Sequence, residues 1–252
     1  MAYGIDRRTL INNLYQGLGE PQYSPVAVQS PYYLSPEEGL KVYDYDPDQA
    51  RQLLESAGFS YDGSGQLVDE DGNQVRFVLI SSSGSPTVGN ILSQIKRNLG
   101  DIGIQVDTQE ITFSSLIDKI DDSMDWECIF LGFTGGVEPN SASNFWQPDG
   151  RLHMFNQLPQ PGQDPVEGRQ VADWEVKIGQ LFTQAAQELD DEKRKEIYAE
   201  FQQLALEQSP LIYMVNPISM VAVRDRFENV QFAALDRTLF WNIYEVKVKD
   251  ES

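Results

Sequence analysis

One stretch of this chain narrows the fold more than any other, because its hydrophobic period switches repeatedly between that of a strand and that of a helix. "VRFVLI" has Val75, Phe77 and Leu79 alternating with their neighbours and reads as a strand. "TVGNILSQIKRNLGDIG" places Ile91, Ile95, Leu99 and Ile102 on one helical stripe. "IQVDTQEI" returns to strand, "TFSSLIDKIDD" is a helix capped by Thr112, and "WECIFLGF" is an apolar strand. Strand, helix, strand, helix, strand predicts an α/β fold: a mainly parallel, mixed sheet flanked by helices and joined by right-handed crossovers.

The flanks add helices with sharp ends. "DRRTLINNLYQGLG" has Asp6 as N-cap, Leu10, Ile11 and Leu14 on one face, and Gly17 and Gly19 as the stop. "DYDPDQARQLLESAGF" has Asp46 as cap, Pro47 at the first turn, Leu53 and Leu54 facing inward, and Gly58 as the stop. Between them, residues 20–45 read as an extended, packed loop. "GQLVDEDGNQVRFVLI" reads as a hairpin turning at "DEDGN". Late in the chain two helices are expected, "DWEVKIGQLFTQAAQEL" capped by Asp173 and "DEKRKEIYAEFQQLALEQS". Strands are expected at "PLIYMVNP", "ISMVAVRD" and "FWNIYEVKVK".

Composition excludes several classes of function. Among 252 residues, 40% are hydrophobic, enough for a substantial core. Lys plus Arg number 19 against 39 Asp plus Glu, a formal net charge of -20. Such a field repels nucleic acid and anionic lipid and favours a cationic or neutral partner. No window reaches the 18 or so apolar residues of a membrane span, and "MAYGIDRRTL" has no secretory h-region. The single cysteine, Cys128, reads as a small buried apolar residue.

Enzyme motifs are scarce. His153 is the only histidine, which excludes a histidine metal cluster, and it reads as a surface or packing residue. There is no nucleophile elbow, phosphate loop or dinucleotide fingerprint. Asp44, Asp46, Asp48 and Glu55 fall at calcium-loop spacing, but Gln49 stands where the sharp turn needs glycine, so the segment is read as a helix cap. No cofactor or metal is implied.

A parallel sheet directs attention to the carboxyl ends of its strands, where open α/β sheets bind ligands. Two loops leave that edge, "SSSGSP" after "VRFVLI" and "TGGVEPN" after "WECIFLGF". Both are either ordinary turns or two walls of a site. As a site, Ser81, Ser82 and Ser83 offer hydroxyls and helix-start amides, Glu138 offers a carboxylate to an ammonium group, and Phe133, Trp126 or Trp146 offers an aromatic face. Thr134, Gly135, Gly136 and Asn140 complete the second loop.

Several segments, in order, resemble family 5 extracellular solute-binding proteins, the dipeptide- and oligopeptide-binding components of ABC importers. They are "GIDRRTLINNLYQGLGEP", "YDYDPDQARQLLESAGF", "ILSQIKRNLGDIGIQVDTQEI", "MDWECIFLGFTGG" and "EKRKEIYAEFQQLALEQSPLIYMVNP". The resemblance implies a periplasmic-binding-protein-like lobe of type II, matching the third domain of a peptide-binding protein, over residues 1–222. Residues 223–252 would then return to a first lobe not contained in this chain. It implies a non-enzymatic receptor, periplasmic or extracellular and membrane-associated in its full-length form. Such a receptor binds a peptide or peptide-like solute between two closing lobes and delivers it to an ABC permease. An excised lobe is expected to bind weakly or not at all, and its uncovered apolar surface offers a route to a non-native homodimer.

In the family's peptide binders an aspartate in the second loop often pairs with the peptide amino terminus. Gly136 or Val137 stands at that place, Glu138 is the nearest acid, and Phe133 replaces a common Trp. These departures argue against a short free dipeptide and fit a longer or differently terminated peptide, or a non-peptide ligand. An alternative from another class is an interaction module whose exposed sheet edge pairs with a partner chain. A hydrolase would have to depend on His153 or a carboxylate pair.

Overall fold

The computed structural model describes residues 1–133, 136–159, 161–232 and 241–249. Its centre is a three-stranded parallel sheet. β4 (Arg76–Ser82) lies between β5 (Gln105–Ile111) and β6 (Cys128–Ile129), giving the order β5-β4-β6. Arg76 aligns with Gln105 and Ser82 with Ile111, while Leu79 aligns with Cys128. The crossovers are α3 (Pro86–Gly100) and α4 (Phe113–Asp118), the latter continuing as a π-helical turn over Lys119–Ser123. The alternation of periods therefore translates directly into a parallel α/β sheet.

Before the sheet come α1 (Arg7–Leu14), β1 (Gly19–Pro21), α2 (Pro47–Ser56), β2 (Ser60–Tyr61) and β3 (Leu67–Val68). Asp6 caps α1 by accepting the Thr9 N–H at 2.9 Å, and Asp46 caps α2 through the Gln49 N–H at 2.9 Å. Gly58 ends α2 at φ +96°, a left-handed conformation that suits glycine. Within α2 the inward residue is Ala50; Leu53 is 52% exposed, contrary to its expected inward position, and Leu54 is half-buried. The "DEDGN" turn is present, closed by Asp71 and Asn73 amides on Asp69 and by a Val68–Gln74 bridge. Its first arm, β3, forms its ladder with β2.

After the sheet, α5 (Ser143–Trp146) leads by way of a long loop to α6 (Asp173–Gln187) and α7 (Asp191–Gln208). β7 (Val215–Pro217) pairs with β1, and β8 (Phe227–Glu228) pairs with β9 (Lys247–Val248), both antiparallel. Three expectations need correction here. Asp173 is the first helical residue of α6, not its cap; the Glu175 carboxylate closes the turn by accepting the Ala172 N–H. "ISMVAVRD" forms no strand, and within the described part of "FWNIYEVKVK" only Lys247–Val248 does.

"WECIFLGF" also pairs over far less than its length. Side chains occupy the ladder at both ends of β6. The Glu127 carboxylate accepts the Val78 N–H at 2.5 Å, and Ser81 Oγ donates to the Phe130 carbonyl at 2.9 Å.

Two principal cores result. Leu79, Ile91, Leu92, Ile95, Leu99 and Val106 pack α3 on the sheet. Ile178, Phe182, Tyr198, Phe201 and Ala205 pack α6 against α7, with Trp146 and Val26 joining them. A smaller cluster of Ile80, Leu116 and Ile120 seats α4 on the sheet's other side.

Candidate functional site

Because β4 and β6 are parallel neighbours, the loops that follow them leave the same edge of the sheet. Ser82 ends β4 half-buried and Ser83 is exposed. The Ser83 N–H donates across to the Ile111 carbonyl at 2.6 Å, so that amide serves the sheet. Ser85 caps α3 by accepting the Val88 N–H at 3.4 Å. The hydroxyls of Ser82 and Ser83 are the groups this first loop presents at the edge.

The second loop starts with an aromatic ring held in the open. Phe133 is 54% exposed, and its ring meets the buried Phe145 ring edge-on at 5.3 Å. Trp146 does not line the surface, as the sequence suggested. It is 3% exposed and packs on Phe201 at 4.9 Å and on Phe145 at 5.4 Å, where it supports the ring beneath Phe133. Thr134 and Gly135 lie outside the described residues. At Gly136 a Cβ would stand 2.8 Å from Ser141 Oγ, so a side chain there would displace the hydroxyl that donates to the Glu138 carbonyl.

The far end of the loop is clamped. Ser30 Oγ donates to the Val137 carbonyl at 2.5 Å, and Ser141 Oγ donates to the Glu138 carbonyl at 2.8 Å. Pro139 is buried. Residues 139–142 make a 3-10 turn whose N-cap is Glu138: its Oε1 accepts the Asn140 N–H at 3.3 Å. That oxygen also lies 2.8 Å from Arg194 Nη2 and accepts from the Tyr198 hydroxyl at 2.9 Å. Arg194 in turn donates to the Tyr32 hydroxyl at 2.9 Å and to the Ala185 carbonyl at 2.9 Å, with its guanidinium over the Tyr32 ring.

The electrostatics follow from this geometry. Burial lowers the Arg194 pKa, but the adjacent Glu138 charge and the Tyr198 and Tyr32 hydroxyls outweigh it and leave it raised. Burial, then the hydrogen bond to Glu138, pushes the Tyr198 phenol well above its ordinary range. Arg194 and Tyr198 stand four residues apart on α7 and so share a face. That spacing was readable from the sequence; their pairing with a loop far upstream was not.

His153 resolves as a packing residue rather than a surface one. Its ring is fully buried, with Nδ1 2.9 Å from the Phe145 carbonyl and Nε2 2.9 Å from Glu175 Oε1. Among the described residues no group of His, Cys, Asp and Glu side chains is placed to hold a metal ion, and no helix is long and apolar enough to cross a membrane.

With this geometry in view, residues 1–151 match the family model described as bacterial extracellular solute-binding proteins, family 5, middle region. This chain belongs to that family. A probable ABC transporter-binding protein from Deinococcus radiodurans is 28% identical to the family 5 chain over 241 residues, covering 90% of the chain and 39% of the relative. The oligopeptide-binding protein AppA of Bacillus subtilis, solved in complex with a nonapeptide, superposes with a TM-score of 0.75 at 18% identity, covering 98% of this chain and 46% of that one. An oligopeptide ABC transporter periplasmic binding protein of Thermotoga maritima, solved with mannohexaose bound, gives a TM-score of 0.71 at 19% identity, covering 99% and 48%. The family 5 chain thus spans less than half the length of these relatives, and its fold is that of type II periplasmic peptide-binding proteins.

Proposed function

We propose that this family 5 chain is one lobe of a non-enzymatic receptor for peptides or peptide-like solutes. Residues 1–222 form the lobe, and residues 223–252 pass to a first lobe supplied by the rest of a longer polypeptide. The receptor works outside the cytoplasmic membrane and delivers its ligand to an ABC permease. The observation that carries the reading is Phe133: an exposed aromatic ring, braced by Phe145, on a clamped loop at the carboxyl edge of a parallel sheet. Ser82, Ser83, Gly136 and Asn140 are the polar groups of the same wall. Ligand capture proceeds by closure of the first lobe over this wall, which removes ligand and ring from water together.

Exposed Ile243, Tyr244 and Val248 support the assignment of the C-terminal segment to an interface with that first lobe. The test is calorimetry with short peptides on the chain alone and on the chain joined to its upstream lobe. Binding is expected only in the second case. Equal binding by both removes the two-lobe mechanism, and binding by neither removes the receptor reading.

A second reading rests on β5, which is an edge strand of the sheet among the described residues, with β4 as its one strand neighbour there, and so a place for strand addition. A partner chain recruited by the isolated lobe through Gln105–Ile111 would favour it.

A further inference from the structure

We infer that Glu138 is the internal counter-ion of Arg194, and that the ligand group received at the 133–140 loop carries no positive charge. The inference rests on the receptor reading and specifies which ligands it admits.

Glu138 is the nearest acid that follows Phe133; its side chain is 42% exposed, and its Oε1 is already engaged. Three donors converge on its Oε1: Arg194 Nη2 at 2.8 Å, the Tyr198 hydroxyl at 2.9 Å and the Asn140 amide at 3.3 Å. An ammonium group arriving there meets a pair that is neutral as a unit, with the guanidinium as its near neighbour. Drawing Glu138 toward the ligand would uncap the 139–142 turn and leave Arg194 without its anion. No other charge is available in the loop, because the run "IFLGFTGGV" from residue 129 to 137 contains no ionisable side chain. The nearest acid on the other side, Glu127, is bonded to the Val78 amide at the opposite end of β6.

What remains at the wall is chemistry for an uncharged group: the Phe133 face, backbone amides and carbonyls, the Asn140 side chain and the serine hydroxyls. The interior of a longer peptide, a blocked amino terminus and a neutral polyol all present such a group. Glu138 and Arg194 act on the ligand only by holding the loop, and so are positioning residues.

The experiment has two arms. On the 252-residue chain, hydrogen exchange of the 136–142 amides is followed in Glu138→Gln, Arg194→Met and the double variant, with Arg194→Lys as a charge-retaining control. Each single change is expected to speed exchange and the double to add little further, as coupled partners do. Independent, additive acceleration overturns the counter-ion role.

On the chain joined to its upstream lobe, calorimetry compares one peptide with a free and an acetylated amino terminus, and a neutral hexaose. The two peptides are expected to bind within about threefold of each other, well short of the roughly tenfold that marks 1.4 kcal/mol. A free-amine preference of about tenfold or more that vanishes in Glu138→Gln overturns the inference. Binding of the hexaose alone assigns the uncharged group to a polyol. If no ligand binds, the ligand half falls together with the receptor reading, while the exchange arm still decides the role of Glu138.

Discussion

His153 Nε2 and Glu175 Oε1 lie 2.9 Å apart, and neither side chain is open to solvent. The other ring nitrogen faces the Phe145 carbonyl, so both nitrogens meet oxygen acceptors and both donate only when the ring is doubly protonated. Glu175 also receives the Asn156 amide and the Ala172 N–H. This buried pair fastens the loop after α5 to the start of α6. Replacing His153 by Leu leaves a buried carboxylate short of a hydrogen-bond partner, and unfolding free energy is expected to fall by about 1–3 kcal/mol. Urea denaturation of the variant measures it; a loss within about 1 kcal/mol means the pair is not formed.

The same pair gives the fold an acid limit. Burial raises the Glu175 pKa, but the hydrogen bonds from Ala172, His153 and Asn156 outweigh it and leave the group below the ordinary carboxylate value. Its ionised form is therefore favoured by folding. The resulting stability is complete above the ordinary carboxylate range and is lost as pH falls through the depressed folded value. Midpoints measured downward from neutral pH should drop less steeply in Glu175→Gln than in the wild type, and parallel curves would refute this.

Gly150 supplies a packing test. A Cβ there would sit 2.1 Å from the Asn144 carbonyl oxygen, which is backbone and cannot swing away. Gly150→Ala is expected to cost about 3 kcal/mol through forced displacement of the turn after α5. Thermal unfolding reports the loss directly.

Two substitutions in α2 should behave oppositely. Asp46→Ala removes the acceptor for the Gln49 N–H and should cost about 1 kcal/mol. Leu53→Ala, at an exposed position, should stay within about 0.5 kcal/mol of wild type in the isolated chain.

Phe133→Ala separates binding from folding. The exposed ring contributes its edge contact with Phe145 and little else to the fold, so the midpoint should barely move. Peptide affinity in the two-lobe protein should weaken by about 1 kcal/mol or more. Unchanged affinity would remove Phe133 from the ligand wall.

Much of the sheet was legible because local period and side-chain chemistry determine it. The stripe of Ile91, Ile95 and Leu99 and the caps Asp6, Asp46 and Thr112 all take the places expected of them. What escaped depends on partners distant in sequence. "WECIFLGF" looks like a full strand, yet Glu127 and Ser81 side chains end its ladder after two paired residues. Trp146 looked like pocket lining because hydrophobicity does not reveal which side of a loop faces the helices. Glu138 looked free because Arg194 and Tyr198 carry no local sign of the loop they hold, and His153 looked unremarkable because its partner lies 22 residues away.

The clamp on the second loop also has a kinetic meaning. Its contacts join residues 107 positions apart for Ser30 and Val137, 60 apart for Glu138 and Tyr198, and 162 apart for Tyr32 and Arg194. Contacts of such long range close late, after the loops between them have given up their entropy. The β4–β5 pairs, 29 positions apart, and the β4–β6 pairs, 49 apart, close shorter loops and are free to form first, with α3 between β4 and β5. A nascent chain that lacks α7 then has its strands but no ordered wall, so recognition is the last property of the lobe to mature.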